Sequence, residues 1–557
     1  MASEEVLRKT LKNADGKPFA KYKGIQNTFS LESFEITFVE VQNDRSGHTY
    51  ARVRVPLKAA GFPEDAYCTP SRKIAFRDLV ARRFWESART RARAPIPKTD
   101  GGEVSMPRPG QEILDRGCVA VTEYSLEARF SVDLPSTGGK VNAAAAEELV
   151  FGRIEGIVSD SMFFSAYKPS KMYNHVFTAE NADYIRGDLK SKGFVAFVAE
   201  GSVLPRREDD MAPMIDAVPF SCDPSLSVEF EVPNGDPVCG WGVPEGFTAL
   251  VGPSRHGKSV LADAVFAGVY NHIPGDGREY VVSVPDAVYV MAEEGRPVTS
   301  DDMSSFVLPA PGLEPSMFSS PSASSPASEF AAVVEAMEMG SRLIVMDEGY
   351  SNPSVIRKGY LAEDTAYVSL SEAGSAMGRA GTSLLMVTGD ESAVRHADSV
   401  FLVKDFKVRP VGVEKMVNDF LVKAPEPRSP VSKNVSFEKG RKDLSVSALS
   451  VRSVEIGSVK VDVPTAALFD MSQTRAVADA VLAAREDMDG SRTLAEVCSR
   501  AVDSIRAADS EDGSTSCAYH AYPRPIDVAA AVNRHPQMLM IRKGRSLASG
   551  CRNPASC

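Results

Sequence analysis

The sequence predicts an α/β fold with a largely parallel sheet, and three features carry that prediction. The first is Gly252-Pro-Ser-Arg-His-Gly-Lys258-Ser259, which has the G-x-x-x-x-G-K-[ST] spacing of a phosphate-binding loop. Residues 247–251 before it read as a buried strand, and residues 260–269 after it read as a helix with an apolar face. The second is Arg342-Leu-Ile-Val-Met-Asp347-Glu348, a hydrophobic strand ending in two carboxylates. The third is continued alternation of strand and helix. Residues 328–339 give a helix, 383–387 a strand ending at Thr388-Gly-Asp390, and 399–403 another strand. Repeated β–α units place parallel strands side by side, with ligand loops at their C-terminal ends.

The loop has a definite chemistry. Its glycines allow a tight turn, so successive N–H groups converge on phosphate oxygens. The following helix adds positive potential at its N-terminus. A nucleoside triphosphate is the expected ligand, held by Gly252, Arg255, His256, Gly257, Lys258, Ser259 and Val260. Lys258 reaches the β- and γ-phosphates, and Ser259 ligates Mg²⁺. Asp347 holds Mg²⁺ through water, and Glu348 polarises the attacking water. Lys258 and Glu348 are thus the candidate catalytic residues. The His256 ring either fills the loop or hydrogen-bonds near the phosphates.

Length predicts two or three domains, since the chain has 557 residues. Residues 1–225 read as a mixed α/β domain. It holds strands at 36–41, 119–132 and 193–198 and an amphipathic helix at 77–85. Residues 226–410 carry the nucleotide chemistry, with a Pro/Ser-rich loop expected at 309–326. Residues 411–557 begin with a linker at 423–433. A strand-like piece at 453–463, helices at 466–485 and 494–508, and a disordered tail at 548–557 follow. This C-terminal region reads as smaller and mainly helical.

Hydrophobic content of 43% and charged content of 25% are ordinary for a soluble globular protein. The net charge of −11 argues against a globally basic nucleic-acid binder but leaves room for a local basic surface. Eight cysteines without C-x-x-C or zinc spacing read as reduced thiols. No run is apolar enough for a membrane span, and the acidic start does not read as a signal or transit peptide.

The stretch from Gly242-Val-Pro-Glu-Gly-Phe through Ser259 resembles the core of ATP-binding-cassette (ABC) ATPases. The His256-Gly-Lys-Ser form, Tyr270-Asn-His-Ile-Pro-Gly-Asp-Gly-Arg-Glu279 and Ala292-Glu-Glu-Gly-Arg296 resemble the soluble family described as predicted ATPases of the ABC class. Pro109-Gly-Gln-Glu-Ile-Leu114, Glu127-Ala-Arg-Phe-Ser-Val-Asp-Leu-Pro135, the 195–206 stretch and Pro523-Arg-Pro-Ile-Asp-Val-Ala-Ala-Ala-Val-Asn-Arg534 are similar to the same family, so the resemblance spans nearly the whole chain. It implies an ABC-type P-loop core and a homodimer. One kinetoplastid mitochondrial member of the family is associated with uridine-insertion RNA editing and has an RNA-binding pore. Similarity to it implies single-stranded RNA as partner, an RNA-editing complex, and a mitochondrial location with the presequence absent from this sequence. Similarity to bacterial members implies a cytoplasmic one.

The resemblance also marks departures. ABC ATPases complete each site with a glycine-rich loop from the partner subunit. The corresponding stretch here is Ser322-Ala-Ser-Ser-Pro-Ala-Ser328, which implies nucleotide contacts from Ser324, Ser325 and Ser328. It lacks the glycine, and Pro326 removes a donor. After Glu348, the family's Asp-Thr-Ser-Ala-Thr-Asn-Phe segment has become Gly349-Tyr-Ser-Asn-Pro-Ser-Val355. Gly389 stands where many members place a γ-phosphate-sensing histidine. Glu293 or Glu294 stands where a magnesium-coupling glutamine is usual, which makes Glu293 a further metal candidate. Nucleotide binding is therefore expected to be intact and turnover slow.

Arg82, Arg83, Arg89, Arg91 and Arg93 form a basic cluster that could line an RNA pore or groove. Arg206-Arg207, Arg542, Lys543 and Arg545 are weaker candidates. Trp85 and Trp241 read as core or packing residues, and Asp276 and Arg278 as either a lid over nucleotide or an ion pair. Two functions fit: a dimeric ATPase that couples nucleotide state to RNA, or a nucleotide-stabilised scaffold with little hydrolysis.

Overall fold

In Glu35–Glu40 the apolar Ile36 and Phe38 are buried, while Glu35, Thr37 and Val39 between them are half-exposed. This is the period-two pattern of a strand with one covered face. It sets the sheet of the first of two units. The computed structural model describes residues 2–44, 47–93, 95–309, 312–357, 367–416, 420–439, 443–510 and 515–542. The first unit comprises the chain up to Asp183, His272–Pro274 and Ile505–Tyr522. The second comprises Tyr184–Asn271, Gly275–Ser504 and the chain from Pro523 onward.

In the first unit, β1 (Thr28–Ser30), β2 (Glu35–Glu40) and β3 (Thr49–Pro56) run antiparallel in sequence order. Then β4 (Val119–Val121) and β3 both pair antiparallel with β5 (Ser125–Val132). Helix α1 (Pro70–Arg91) starts where Thr69 accepts a bond from the Arg72 N–H and Pro70 takes the first helical position. It buries Phe76, Val80 and Phe84 in the same core as the sheet, with the Phe84 and Phe130 rings 5.0 Å apart.

In the second unit, β6 (Phe194–Ala199) lies between β7 (Val238–Pro244) and Val281–Ser283, with Ser227–Phe230 beyond β7. The sequence reading assigned residues 193–198 to the N-terminal domain. Their partners lie in the second unit, so the contact boundary falls after Asp183 rather than near 225.

The central sheet holds β8 (Phe247–Val251), β9 (Val288–Val290), β10 (Leu343–Asp347), β11 (Ser383–Val387), β12 (Ser399–Lys404) and β13 (Lys407–Pro410). Its order is Ser221–Cys222, β13, β12, β8, β11, β10, β9, and only the β12–β13 pairing is antiparallel. Because β8 and β10 flank β11 and all three run parallel, their C-terminal loops open on one edge. Helix α2 (Lys258–Ala267) leaves the loop after β8, and α3 (Ser325–Glu338) precedes β10.

Two expected loops contain regular structure. Within 309–326, Phe318–Ser320 pairs with Val298–Asp301, and α3 already begins at Ser325. Pro326 fits there because first-turn N–H groups have no helical acceptor. Within the expected linker at 423–433, Arg428–Val431 pairs with Leu539–Arg542. Arg428 is buried, donating to Glu338 at 2.9 and 2.6 Å and pairing with Asp301.

The C-terminal region is mainly helical, with the expected helix at 494–508 found as Leu494–Ser510, and it carries a small sheet as well. Val446–Ser450, β14 (Ser453–Ile456) and β15 (Val459–Asp462) form an antiparallel sheet beside α4 (Met471–Ala483) and α5 (Pro525–Asn533). Asp470 caps α4, so that helix starts later than residue 466. The expected tail at 548–557, with Lys543 and Arg545, lies outside the described residues.

Candidate nucleotide-binding site

The phosphate loop takes its shape from two glycines. Gly252 has φ +141°, and a Cβ there would lie 2.3 Å from the Val403 carbonyl oxygen. Gly257 has φ +100°, and a Cβ there would lie 2.6 Å from the Phe406 ring. Neither position accepts a side chain. Lys258 Nζ donates to the Gly252 and Pro253 carbonyls at 2.8 and 2.9 Å, so the ammonium spans its own loop. Phosphate oxygens can replace those carbonyls. Arg255, in the left-handed region at φ +65°, and Ser259 are exposed, and Val260 is half-buried.

A second element supports the loop from the side. The β12–β13 turn has both Asp405 and Phe406 at positive φ, as tight hairpins require. His256 Nδ1 lies 2.6 Å from Asp405 Oδ1, and the Phe406 N–H donates to the His256 carbonyl at 3.3 Å. The His256 ring is therefore hydrogen-bonded to the turn.

The acids lie at the end of β10. Asp347 is buried, and its Oδ1 accepts from the Gly349 N–H at 2.8 Å. Its Oδ2 is buried with no hydrogen-bond partner among the described residues. A carboxylate oxygen left bare beside a phosphate loop fits a Mg²⁺ ion or its water. Glu348 is exposed, and its Oε2 accepts from Thr388 Oγ1 at 3.0 Å and from the Gly389 N–H at 2.7 Å. Gly389 thus contributes a main-chain donor to the position from which a histidine is missing.

Two assigned residues are spent on structure. Glu293 does not fit a metal role: Arg534 donates to both of its carboxylate oxygens, at 2.8 and 2.5 Å. Ser328 does not face a ligand: it is buried, its hydroxyl donates to the Ser325 carbonyl at 2.7 Å, and it accepts from the Glu293 N–H at 2.9 Å. Ser325 is half-buried and accepts from Asn352 Nδ2 at 3.2 Å. Ser324 is exposed at the N-cap of α3 and makes no side-chain cap bond. Asp405 was not anticipated, and Thr388 and Arg534 stand in stretches the sequence singles out but carried no assigned role, because their partners are remote in sequence.

The basic cluster divides. Arg82 bonds Asp78 at 2.5 Å and the Glu112 carbonyl at 2.8 Å. Arg83 reaches Glu86 at 3.5 Å, and Arg91 pairs with Asp160 at 2.6 Å. Arg89 and Arg93 are exposed and have no carboxylate partner among the described residues. Of the weaker candidates, Arg206 pairs with buried Asp276 at 2.7 Å, Arg207 pairs with Asp209 and Asp210, and Arg542 is buried, donating to the Ser316 carbonyl. Arg278 is buried and donates to the Leu204 carbonyl at 3.0 Å. Trp241 is core, at 1% exposure.

Three family models match the chain in sequence. The N-terminal domain of ATPases of the ABC class matches residues 4–165, the ABC ATPase P-loop domain matches 168–438, and the MRB1590 C-terminal domain matches 445–540. The chain belongs to the ABC-class ATPases and carries an MRB1590-type C-terminal domain. An uncharacterized protein of Methanocaldococcus jannaschii, MJ1628, is 26% identical over 197 residues, 33% of this chain and 43% of that protein. The chain thus spans less than half the length of that relative. The structure of cbiO1 from Clostridium perfringens, part of the ABC transporter complex cbiONQ, matches with a TM-score of 0.23 and 14% identity. That match covers 39% of this chain and 87% of the other. Among the described residues, no helix is long and apolar enough to cross a membrane.

Proposed function

We propose that this protein binds Mg–ATP at the 252–259 loop, hydrolyses it slowly, and couples its nucleotide state to RNA as a homodimer. The observation that carries the nucleotide part is the buried Oδ2 of Asp347, bare among the described residues, together with a loop whose lysine donates to that loop's own carbonyls. In this reading Lys258 exchanges the Gly252 and Pro253 carbonyls for phosphate oxygens, and the loop N–H groups orient them. Ser259 and Asp347 hold Mg²⁺, which neutralises phosphate charge when bound. Glu348, fixed by Thr388 and Gly389, accepts a proton from water and aims that water. Turnover is slow because Gly389 offers one N–H where an imidazole is usual, and Pro326 offers none.

The MRB1590-type domain and the family resemblance support an RNA-editing context, and with it a mitochondrial location. Exposed Arg89 and Arg93 support RNA contact in the first unit. A scaffold role with little hydrolysis is favoured by the structural use of Glu293 and Ser328.

ATP turnover with and without single-stranded RNA separates the two readings, measured for the wild type and Glu348→Gln. RNA-stimulated turnover that disappears in the variant supports the ATPase. Background turnover in both, with RNA bound equally, supports the scaffold. Lys258→Ala is expected to abolish Mg–ATP binding by calorimetry, and retained affinity would overturn the site.

A further inference from the structure

A cavity of 430 Å³ opens in the first unit at the C-terminal end of α1. Its walls include Trp85, Arg89, Arg93, Glu103, Met106 and Arg108. A cavity of this size suits a ligand of mononucleotide dimensions. Its chemistry is unusual for an idle surface. Three exposed guanidiniums converge on it, and none has a carboxylate partner among the described residues. Among the described residues Glu103 is the single acid in the wall, so the cavity keeps an excess of positive charge. A helix C-terminus attracts cations, which accounts for Arg89 and Arg93. It does not account for Arg108. That residue arrives from another element, after Val104–Ser105 pairs with the end of β5.

The indole sits among these cations. The Arg89 and Arg108 guanidiniums lie 5.4 and 5.7 Å from the Trp85 ring centroid. Arg8 over Phe151, in contrast, closes to 3.6 Å. The Trp85 ring is therefore loosely covered and half-buried, with planar groups around it on which a further planar group can stack. The neighbouring arginines Arg82 and Arg91 are paired with Asp78 and Asp160, which leaves those two carboxylates unavailable to the three in the cavity.

We propose that this cavity binds an unpaired nucleotide, its base stacked on Trp85 and the adjoining guanidiniums, and its phosphate held by Arg89, Arg93 and Arg108. A planar, hydrogen-bonding base with an attached anion matches a site that joins an indole, unpaired guanidiniums and one carboxylate acceptor. The nucleotide can come from a single strand or from a free mononucleotide. The strand as source rests on the RNA reading above. It refines that reading by adding Trp85 and Arg108 and removing Arg82, Arg83 and Arg91.

The test uses the full chain and two probes. The first is a labelled single-stranded RNA of about 12 nucleotides, followed by anisotropy across a salt series. The second is uridine monophosphate, followed by tryptophan fluorescence in a Lys258→Ala background. Trp85→Leu is expected to weaken RNA about tenfold, and Trp85→Phe to restore most of the loss. Arg89→Gln with Arg108→Gln is expected to flatten the log-affinity against log-salt slope by about 1.4, two single-strand phosphate contacts. Arg395→Gln, whose guanidinium pairs with Glu391 on the surface of the other unit, is expected to change neither quantity. Equal RNA binding by wild type and cavity variants, with an unchanged slope, overturns the site and leaves the RNA reading standing. Quenching by uridine monophosphate that Trp85→Phe abolishes, with no RNA bound, upholds the site for a free nucleotide and ends the RNA reading. Absence of both overturns both.

Discussion

Glu329 lies on α3 with its side chain fully buried, and burial pushes its carboxyl up to about 7, with the Glu293 charge adding to the shift. Its Oε2 accepts from the Asn352 N–H at 2.8 Å, so it holds the segment that follows Glu348. A raised folded-state pKa means the folded state binds the extra proton. The associated stability is complete below about 4.5 and is lost as pH rises through about 7. The difference amounts to about 3 kcal/mol. Glu329→Gln mimics the protonated acid, so it is expected to match the wild type at acid pH and to exceed it by about 1–3 kcal/mol at alkaline pH. Urea unfolding at the two pH values checks this, and a pH-independent difference would refute it. His535 acts in the opposite sense. Burial lowers its imidazole to about 4, so stability is lost as pH falls from 6.5 towards that value. At this scale the sequence was legible in placement: Lys258 opens a helix after a strand and a loop, and Asp347 ends a strand, as its patterns predict. It misassigned Glu293 and Ser328, whose partners Arg534 and the Glu293 N–H are set by folding.

The phosphate loop and the β12–β13 turn act as one pair of elements. Phe406 packs where a Gly257 side chain would stand, and Asp405 holds the His256 ring. Gly257→Ala is expected to cost about 1–3 kcal/mol of stability through backbone strain and ring contact. It is also expected to lower Mg–ATP affinity more than tenfold, because the loop N–H groups lose their alignment. Thermal denaturation and calorimetry measure the two effects, and unchanged affinity would separate the turn from nucleotide binding. Strands in the central sheet were readable because both faces are covered, which makes them continuous apolar runs. Arg428–Val431 was not readable. Its composition is that of a linker, and only its pairing with distant Leu539–Arg542 makes it a strand.

Within the second unit, a buried ionic network joins the 292–296 loop, α3 and the residue after α5. Arg296 donates to both Glu335 oxygens at 2.9 and 3.1 Å and to the Ser328 carbonyl at 3.1 Å. Arg534 grips Glu293 and approaches Glu335 at 3.6 Å. Removing one member leaves uncompensated buried charge. Arg534→Gln is expected to destabilise the protein by about 3–5 kcal/mol in urea unfolding. Arg534→Lys is expected to recover only part of this, because a single ammonium does not reproduce a two-pronged grip. A loss below about 1 kcal/mol, the range of exposed pairs, would show the network to be solvated. The network also explains why domain limits were hard to read. Residues near the C-terminus complete the nucleotide-binding unit, and no local composition change records that.

The amino-acid sequence by itself determined the family, the parallel core, the glycine-rich loop between strand and helix, and the position of the acids at the end of a strand. Each is encoded by neighbouring residues, through spacing, period or a run of apolar side chains. Only the tertiary structure decided which charged side chains are available. The sequence shows that Arg82 and Arg89 are both basic and that Glu293 and Asp347 are both acidic. Availability depends on whether a partner from another segment already satisfies the charge, and burial makes that satisfaction compulsory.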